Sequence, residues 1–494
     1  MKQLKKAALF LLAVICLGSF ALLPVGAEGV WHSYTYNNNG EDVFSPDIYE
    51  VEQVVYGAQM GLEELERLDN PQDMCFDNEG DLYILNADAK SVIILGRDMQ
   101  AKAHITAFTK DGAESPLLNP TGIYVDAQQR IYICDGGNRR IIRTDRQGVI
   151  NLEILKPDAE YFPESVEFIP KKMLLDSAGN IYVSAIGISD GIVLFDKDGR
   201  FTGFYGSPKV ASTAELLADY FWRQFMTDEQ KEAMASYVPP EVANFCITDD
   251  DFIITVTNSY WNAGGENKTE MDTISMLNPK GVDVLQFDKS TKAGQAISDN
   301  ARYLNFVAVC ADDAGFITFV DNRMGKIYQF DQRMNLLAAF GTSGSYEGAF
   351  LSPVAIQTYE DKLYVLDAES GTVTVLRPTV YGDTIHQAIT AYSTEKQSEV
   401  IKPWQDVLAL NANYDLAYIG IGSVLLNQGE YKEAMRYFEL GHDSKNYNAA
   451  FRQLRLIFLR ENLVLFLVII VVLVVLVKGG RWLWRRRKSR KERA

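Results

Sequence analysis

The sequence predicts a mainly β protein: a six-bladed β-propeller, then a small all-α region and one transmembrane helix. Three observations carry this. The form Asn-Pro-x-x-(apolar)₃-Asp, a turn and a short β run, recurs at Asn70-Pro71 to Asp77, at Asn119-Pro120 to Asp126, and as Ile169-Pro170 to Asp176. Asp77 and Asp126 lie 49 residues apart, and Asp126 and Asp176 lie 50 apart, the repeat length of a propeller blade built from short strands. After Pro378 the apolar spacing changes from period two to helical, and Leu463 to Val477 is an unbroken apolar run of 15 residues.

Each element follows from these copies. In the first three, the strands after the turn are Leu82 to Asn86, Ile131 to Asp135 and Ile181 to Ser184. Weaker copies are Ala243 to Asp249, Phe306 to Asp312 and Ser352 to Thr358, followed by Phe252 to Thr257, Ile317 to Asp321 and Lys362 to Asp367. Their apolar runs, bounded by Gly and Asp, read as short antiparallel strands. No fourth strand follows Gly371 to Pro378, whereas Tyr56-Gly57 matches the Phe340-Gly341 that ends blade five. Val51 to Tyr56 is therefore expected to supply the outer strand of blade six and close the ring, which removes two sheet edges. The propeller is placed at 50–380 with an insertion at 206–241, after a signal peptide at 1–27 and an N-terminal linker at 28–49.

Asp135-Gly136-Gly137-Asn138-Arg139-Arg140-Ile141 and Asp321-Asn322-Arg323-Met324-Gly325-Lys326-Ile327 resemble the Asp-x-x-Asn-x-Arg segment of NHL-repeat propellers. Phe340-Gly341-Thr342-Ser343-Gly344, leading to Pro353, is similar to the inter-blade link of that family. The resemblance covers about residues 50–378 and implies a fold rather than a chemistry. Blades one, three and four depart from the Asn-x-Arg pattern.

In such a ring the inner strand of each blade runs from top to bottom. The links between blades and the loops from second to third strand therefore lie on top. Three long segments fall there: Gly206 to Glu241, Asn258 to Asp272 and Ser290 to Tyr303. Long loops in compact domains commonly carry function. Tyr220, Trp222, Tyr260 and Trp261 are candidates for a sugar- or peptide-binding platform, the alternative being that the aromatics pack the lid on the propeller. Lys171 and Lys172, at the start of blade three, are candidates for an anionic ligand or else solvated charge. Asn244, with Asn70, Asp73, Asn119 and Asn305, is placed at the channel mouth.

Beyond the propeller, Ala417-Tyr418, Gly422, Leu425, Gly429-Glu430-Tyr431, Ala434 and Phe438 match a tetratricopeptide repeat. A TPR-like neck is placed at 381–456, the transmembrane helix at 457–480 and a basic cytoplasmic tail at 481–494. The start of the chain, with Lys2, Lys5 and Lys6 before an apolar stretch ending at Val25-Gly26-Ala27, has the parts of a secretory signal peptide. From Lys478 onward nine bases face the single acid Glu492, which predicts a tail held in the cytoplasm and a propeller outside it. The formal charge is −17 overall. Setting aside the three lysines of the leader and the net eight positive charges of the tail leaves −28 between them. Such an ectodomain argues against nucleic-acid partners.

Chemistry is sparse. Six-bladed propellers include gluconolactonase-like hydrolases and lyases with Ca²⁺ or Zn²⁺ in the channel. The four histidines, His32, His104, His386 and His442, lie outside the inner strands, which argues against zinc or a histidine base there. Calcium stays open, because oxygen donors are abundant. Cys75, Cys134, Cys246 and Cys310 read as buried small apolar residues. The expectation is a membrane-anchored binding or scaffold module, with no catalytic residue named and membrane transport machinery as a suggested associate. The alternative is a Ca-dependent, gluconolactonase-like hydrolase.

Overall fold

The protein is described by a computed structural model that covers residues 31–491, apart from 38–40, 63–67, 160–161, 163–166, 189, 207–240, 258–273, 286–303 and 395–399. The leader at 1–27 lies outside the described residues.

Among the described residues six antiparallel blade sheets follow one another along the chain, with a small hairpin of Thr109–Lys110 and Ala113–Glu114 between the first two. Their inner strands are Pro71–Phe76, Pro120–Val125, Ile169–Leu175, Val242–Ile247, Phe306–Ala311 and Pro353–Tyr359. What sets the hairpin in blades one, two, three and five is the aspartate that ends the inner strand. Asp77 Oδ1 accepts the N–H groups of Glu79 and Asp81, both at 2.9 Å; Asp126 Oδ1 accepts those of Gln128 and Arg130, both at 3.0 Å. Asp176 Oδ1 does the same for Ala178 and Asn180, and Asp312 accepts from Phe316. An Asx turn of this kind satisfies two loop amides with one short side chain and so fixes the strand register.

Blade four differs by one residue from the sequence expectation. The turn acceptor there is Thr248, whose Oγ1 takes the Phe252 N–H at 3.2 Å, rather than Asp249. Cys246 consequently stands in register with Cys75 and Cys310, since Cys75, Cys246 and Cys310 pair with Tyr83, Ile254 and Thr318. Cys75, Cys134 and Cys310 are buried.

Neighbouring blades pack face to face. Leu82, Ile84, Ile93 and Leu95 of blade one meet Leu366, Val373 and Val375 of blade six. Tyr83, Leu85, Val92 and Ile94 meet Ile123, Ile131, Ile133 and Ile142 of blade two. Successive residues thus serve opposite faces of one sheet, as the two-residue period requires. The ring closes at the expected seam: Tyr49–Tyr56 pairs antiparallel with Thr372–Pro378, from Tyr56 beside Thr372 to Tyr49 beside Pro378.

The stretch expected as a linker contains more than a connection. Ser33–Tyr36 and Asp42–Ser45 form a hairpin that joins the outer strand of blade five through Tyr34 and Ala339, making that sheet six-stranded. Trp31 anchors it, with its ring 6.3 Å from Phe340 and 6.4 Å from Phe350. The Lys326 amine sits 4.2 Å from the Tyr34 ring centre, a cation–π contact.

Among the described residues six helices follow blade six: α1 Val380–Thr394, α2 Ile401–Leu410, α3 Asp415–Gln428, α4 Tyr431–Leu440, α5 Ser444–Glu461 and α6 Leu463–Lys491. Helix α1 docks on the bottom of blades five and six, where Tyr381, Ile385 and Ala388 join a core with Ile48, Phe340 and Leu376. Contact is close enough that a Cβ on Gly382 would lie 2.1 Å from the Ile48 carbonyl oxygen. Tyr414, at the start of α3, donates to Leu337 O at 3.1 Å. Between α3 and α4, Gly422 makes room for the Phe438 ring, and Ala417 and Ala434 are fully buried.

A polar chain runs through this docked surface. His386 Nε2 lies 2.8 Å from Gln329 Oε1, and Gln329 donates to the Tyr49 hydroxyl at 3.1 Å. Enclosure against Phe316, at 4.4 Å, and Tyr49 favours the neutral ring. Burial pushes the His386 pKa down to about 4, with Asp361 opposing. Nearby Asp312 is pushed up to about 6 by its own burial.

Two predictions follow from the docking. Gly382→Val should destabilise the protein by ~2 kcal/mol or more, read by chemical denaturation, because the new side chain must displace the strand at Ile48. The His386 contribution is present above about pH 6.5 and is lost as pH falls toward 4, because the unfolded chain takes up the proton first. Asp312 acts oppositely, its burial cost being relieved as pH falls from about 6 toward 3.8. Melting temperatures measured between pH 7 and 4 should therefore fall less for His386→Phe, and more for Asp312→Asn, than for the native chain.

Candidate functional site

The channel wall is made by the six inner strands, and each carries the same irregularity. Pairing slips by one residue between Pro71 and Asp73, Pro120 and Gly122, Pro170 and Lys172, Val242 and Asn244, Phe306 and Ala308, and Pro353 and Ala355. A bulge of this type re-aims the residue that follows it. The six equivalent positions are therefore Asp73, Gly122, Lys172, Asn244, Ala308 and Ala355, and all six are buried.

Two of them meet across a third. Lys172 Nζ lies 2.6 Å from Asp73 Oδ1 and 2.7 Å from Oδ2, although one residue belongs to blade three and the other to blade one. The second carboxylate oxygen also accepts the Ile123 N–H at 2.8 Å. Blade two lies between them and offers Gly122. A Cβ there would stand 2.6 Å from Lys171 O and 3.1 Å from Lys172 Cα. Glycine thus lets the blade-three strand come close enough for the lysine to cross to Asp73. The sequence reading has Lys172 facing an anionic ligand or solvent; the structure gives it to Asp73. A buried charge is tolerated only with a partner of this quality.

Lys171 is the bulged residue itself. It is partly buried, and desolvation draws its amine below the usual lysine range, with Glu241 opposing. Glu241 is held by the Gly187 N–H at 2.8 Å. Of the other mouth residues, Asn70 donates to Asp88 and accepts from Gln72, and Asn305 donates to Asn322 at 2.7 Å. Tyr220, Trp222, Tyr260 and Trp261 lie outside the described residues, as do most of the three long top segments. The described part of the top carries exposed Leu118, Leu155, Ile186, Met324 and Tyr346 on its links and loops.

The Asp-x-x-Asn-x-Arg segment of blade two is structural. Asp135 Oδ2 accepts from Asn138 and from Arg140 Nε, both at 2.8 Å, while its Oδ1 accepts the Leu118 N–H at 2.7 Å. Arg140 continues to Glu153 and Ser115 at 2.9 Å, and Lys110 pairs with Glu153. The same anchoring of a link amide recurs at Asn86, Asp321 and Asp367, which accept from Asp69, Asn305 and Leu351.

One acidic cluster was not foreseen. At the bottom turn of blade one, Asp77, Glu79 and Asp81 bring three carboxylates within 4.8 Å of one another. Arg146, from blade two, reaches Asp77 at 3.2 Å and Asp81 at 3.5 Å, and Lys102 reaches Asp81 at 2.5 Å. The Tyr83 hydroxyl donates to Asp77 as well. These donors engage the carboxylates of Asp77 and Asp81, so that pair works as a clamp between blades.

No protein-family model matches the chain, and no curated protein matches it. Solved structures do. Virginiamycin B lyase from Staphylococcus aureus is similar at 13% identity, over 67% of this chain and 99% of that one, with a TM-score of 0.39. Calcium-binding regucalcin from Agrobacterium tumefaciens is similar at 12% identity, over 63% and 90%, with a TM-score of 0.37. A protein of unknown function from Bacteroides thetaiotaomicron is similar at 10% identity, over 64% and 70%, with a TM-score of 0.40.

The geometry of the wall predicts a non-additive pair. Asp73→Leu or Lys172→Met alone should cost about 3–5 kcal/mol in denaturant unfolding, because each strands a buried partner. The double variant Asp73→Leu/Lys172→Met should lose less than the two single losses added together.

Proposed function

We propose that the chain is a membrane-anchored, extracytoplasmic propeller that works as a binding or scaffold module for a protein, peptide or carbohydrate. The observation that carries this is the Asp73–Lys172 pair. Asp73 is the one carboxylate among the six equivalent wall positions, and both its oxygens are bonded to an amine. A channel hydrolase would need that charge for a cation or for proton transfer. Anchoring is supported by Leu463–Trp484, 22 residues long and apolar enough to cross a membrane. The lysines of the leader and the basic run after Val477 support a propeller outside and a tail inside. Helix α1 leaves blade six at the bottom, which supports a top that faces away from the bilayer.

In this reading the blades are NHL-like and the neck TPR-like, the latter on the Gly422–Phe438 packing. The binding surface is the top, where Leu118, Leu155, Ile186, Met324 and Tyr346 are exposed; Tyr220, Trp222, Tyr260 and Trp261, outside the described residues, are its further candidates from the sequence. Lys171 and Asn244 border the same mouth. Association with a membrane transport system is the suggested setting.

The detergent-solubilised full chain should retain a partner that is lost from a variant lacking residues 206–241; equal recovery from both would remove the top from consideration. Calcium separates this reading from the Ca-dependent gluconolactonase-like alternative. Titration calorimetry should show no saturable Ca²⁺ binding, and a site abolished by Asp73→Asn would instead establish the alternative.

A further inference from the structure

Helix α5 leaves the protein's own core well before α6 begins. Ala450 is its last buried residue, packed with Ala434 and Phe438 of α4. From Phe451 to Glu461 the helix runs on for about 17 Å. Over that length Leu456 is 51% exposed and Phe458 56% exposed, and Phe451, Ile457 and Leu459 are exposed as well. Phe451, Leu454, Ile457 and Phe458 fall on one face at helical spacing, with Arg452 and Arg455 flanking them. A contiguous apolar face of this kind marks a contact surface.

The continuity of the chain says what covers it. Between α5 and α6 only Asn462 intervenes, and its N–H and Nδ2 both donate to Phe458 O, at 3.1 and 2.9 Å. The Phe466 N–H in turn donates to Asn462 O at 3.0 Å, and the Phe458 and Phe466 rings lie 6.2 Å apart. Helical hydrogen bonding thus passes through the join, and the exposed face runs directly into the apolar helix. The 15-residue run Leu463 to Val477 is only about 22 Å long, against a hydrocarbon layer of about 30 Å. The membrane must therefore reach past the run. Inward the helix continues through Lys478, Gly479, Gly480 and Arg481 to Trp482, Leu483 and Trp484, which completes the 22-residue stretch; outward the apolar surface continues without a break onto Leu456 to Leu459.

We propose that Phe451 to Glu461 is a lipid-binding segment of the outer interface. Leu456 to Leu459 sit at the edge of the hydrocarbon, and Arg452, Arg455 and Arg460 bind phospholipid phosphates, their stems lying along the apolar surface. The segment holds the neck against the bilayer, so the propeller stands at a fixed height. This rests on the anchoring reading of the previous subsection.

The test uses the full chain in vesicles of phosphatidylcholine and phosphatidylglycerol. Nitroxide labels are placed singly at Phe458→Cys, at Ile470→Cys in α6 and at Lys432→Cys on the exposed neck, with the native chain as the labelling blank. Collision with an aqueous nickel chelate should be about five-fold or more weaker at 458 than at 432, with oxygen collision preserved, as for a group at the lipid interface. The charge-reversed Arg452→Glu/Arg455→Glu/Arg460→Glu variant should bring the 458 value to within about two-fold of 432. A shielded 470 with an aqueous 458 would overturn the inference and leave the anchor standing. An aqueous 470 would overturn the anchor itself. Shielding of 458 from both oxygen and nickel would show a protein occupant, another helix or a second copy, and would also overturn the inference.

Discussion

The ring depends on one repeated interaction, a short side chain at the end of the inner strand in blades one to five that accepts backbone N–H groups of the turn below it. Asp77, Asp126, Asp176, Thr248 and Asp312 all do this. Because a strand has a two-residue period, a slip of one residue would turn every apolar side chain to the wrong face. The turn acceptors hold that register, and the register in turn fixes where each bulge falls. Only then do Asp73, Gly122 and Lys172 occupy equivalent places around the channel.

These acceptors are also why so much of the propeller was legible. An aspartate followed by a glycine-bearing turn and an apolar run is a local signal, repeated at nearly constant spacing. Blade four was misphased by one residue because Thr248 takes the acceptor place and Asp249 stands beside it. The hairpin of Ser33–Tyr36 and Asp42–Ser45 was missed although Ser-Tyr-Thr-Tyr alternates, since its partner strand, Leu336–Phe340, lies about 300 residues away. The channel pair was hidden for a related reason. Asp73 and Lys172 are 99 residues apart, and nothing local shows that Gly122 clears the path between them. A glycine at the one wall position where neighbours carry Asp and Lys was the available sign.

The two charged devices differ in kind. The Asp73–Lys172 pair is buried and satisfied on both sides, which gives it more weight as a specificity constraint than as a source of stability. The Asp77–Arg146–Asp81–Lys102 clamp is half open to water and contributes modestly. Together they tie blades one, two and three at both ends of the channel. On the opposite side the ring is held by apolar packing of α1 and the N-terminal hairpin around blades five and six.

The seam has a consequence in time. Tyr49–Tyr56 leaves the ribosome about 320 residues before its partner, Thr372–Pro378, a delay of about 20 to 60 seconds at ordinary synthesis rates. Until then both strands present open edges, and the pairing has the largest loop to close of any in the propeller. Blades one to five can form locally as they emerge, whereas the ring can lock only when nearly the whole chain has been made. The slowest and most aggregation-prone moment in the life of this protein is therefore set by the position of one eight-residue strand.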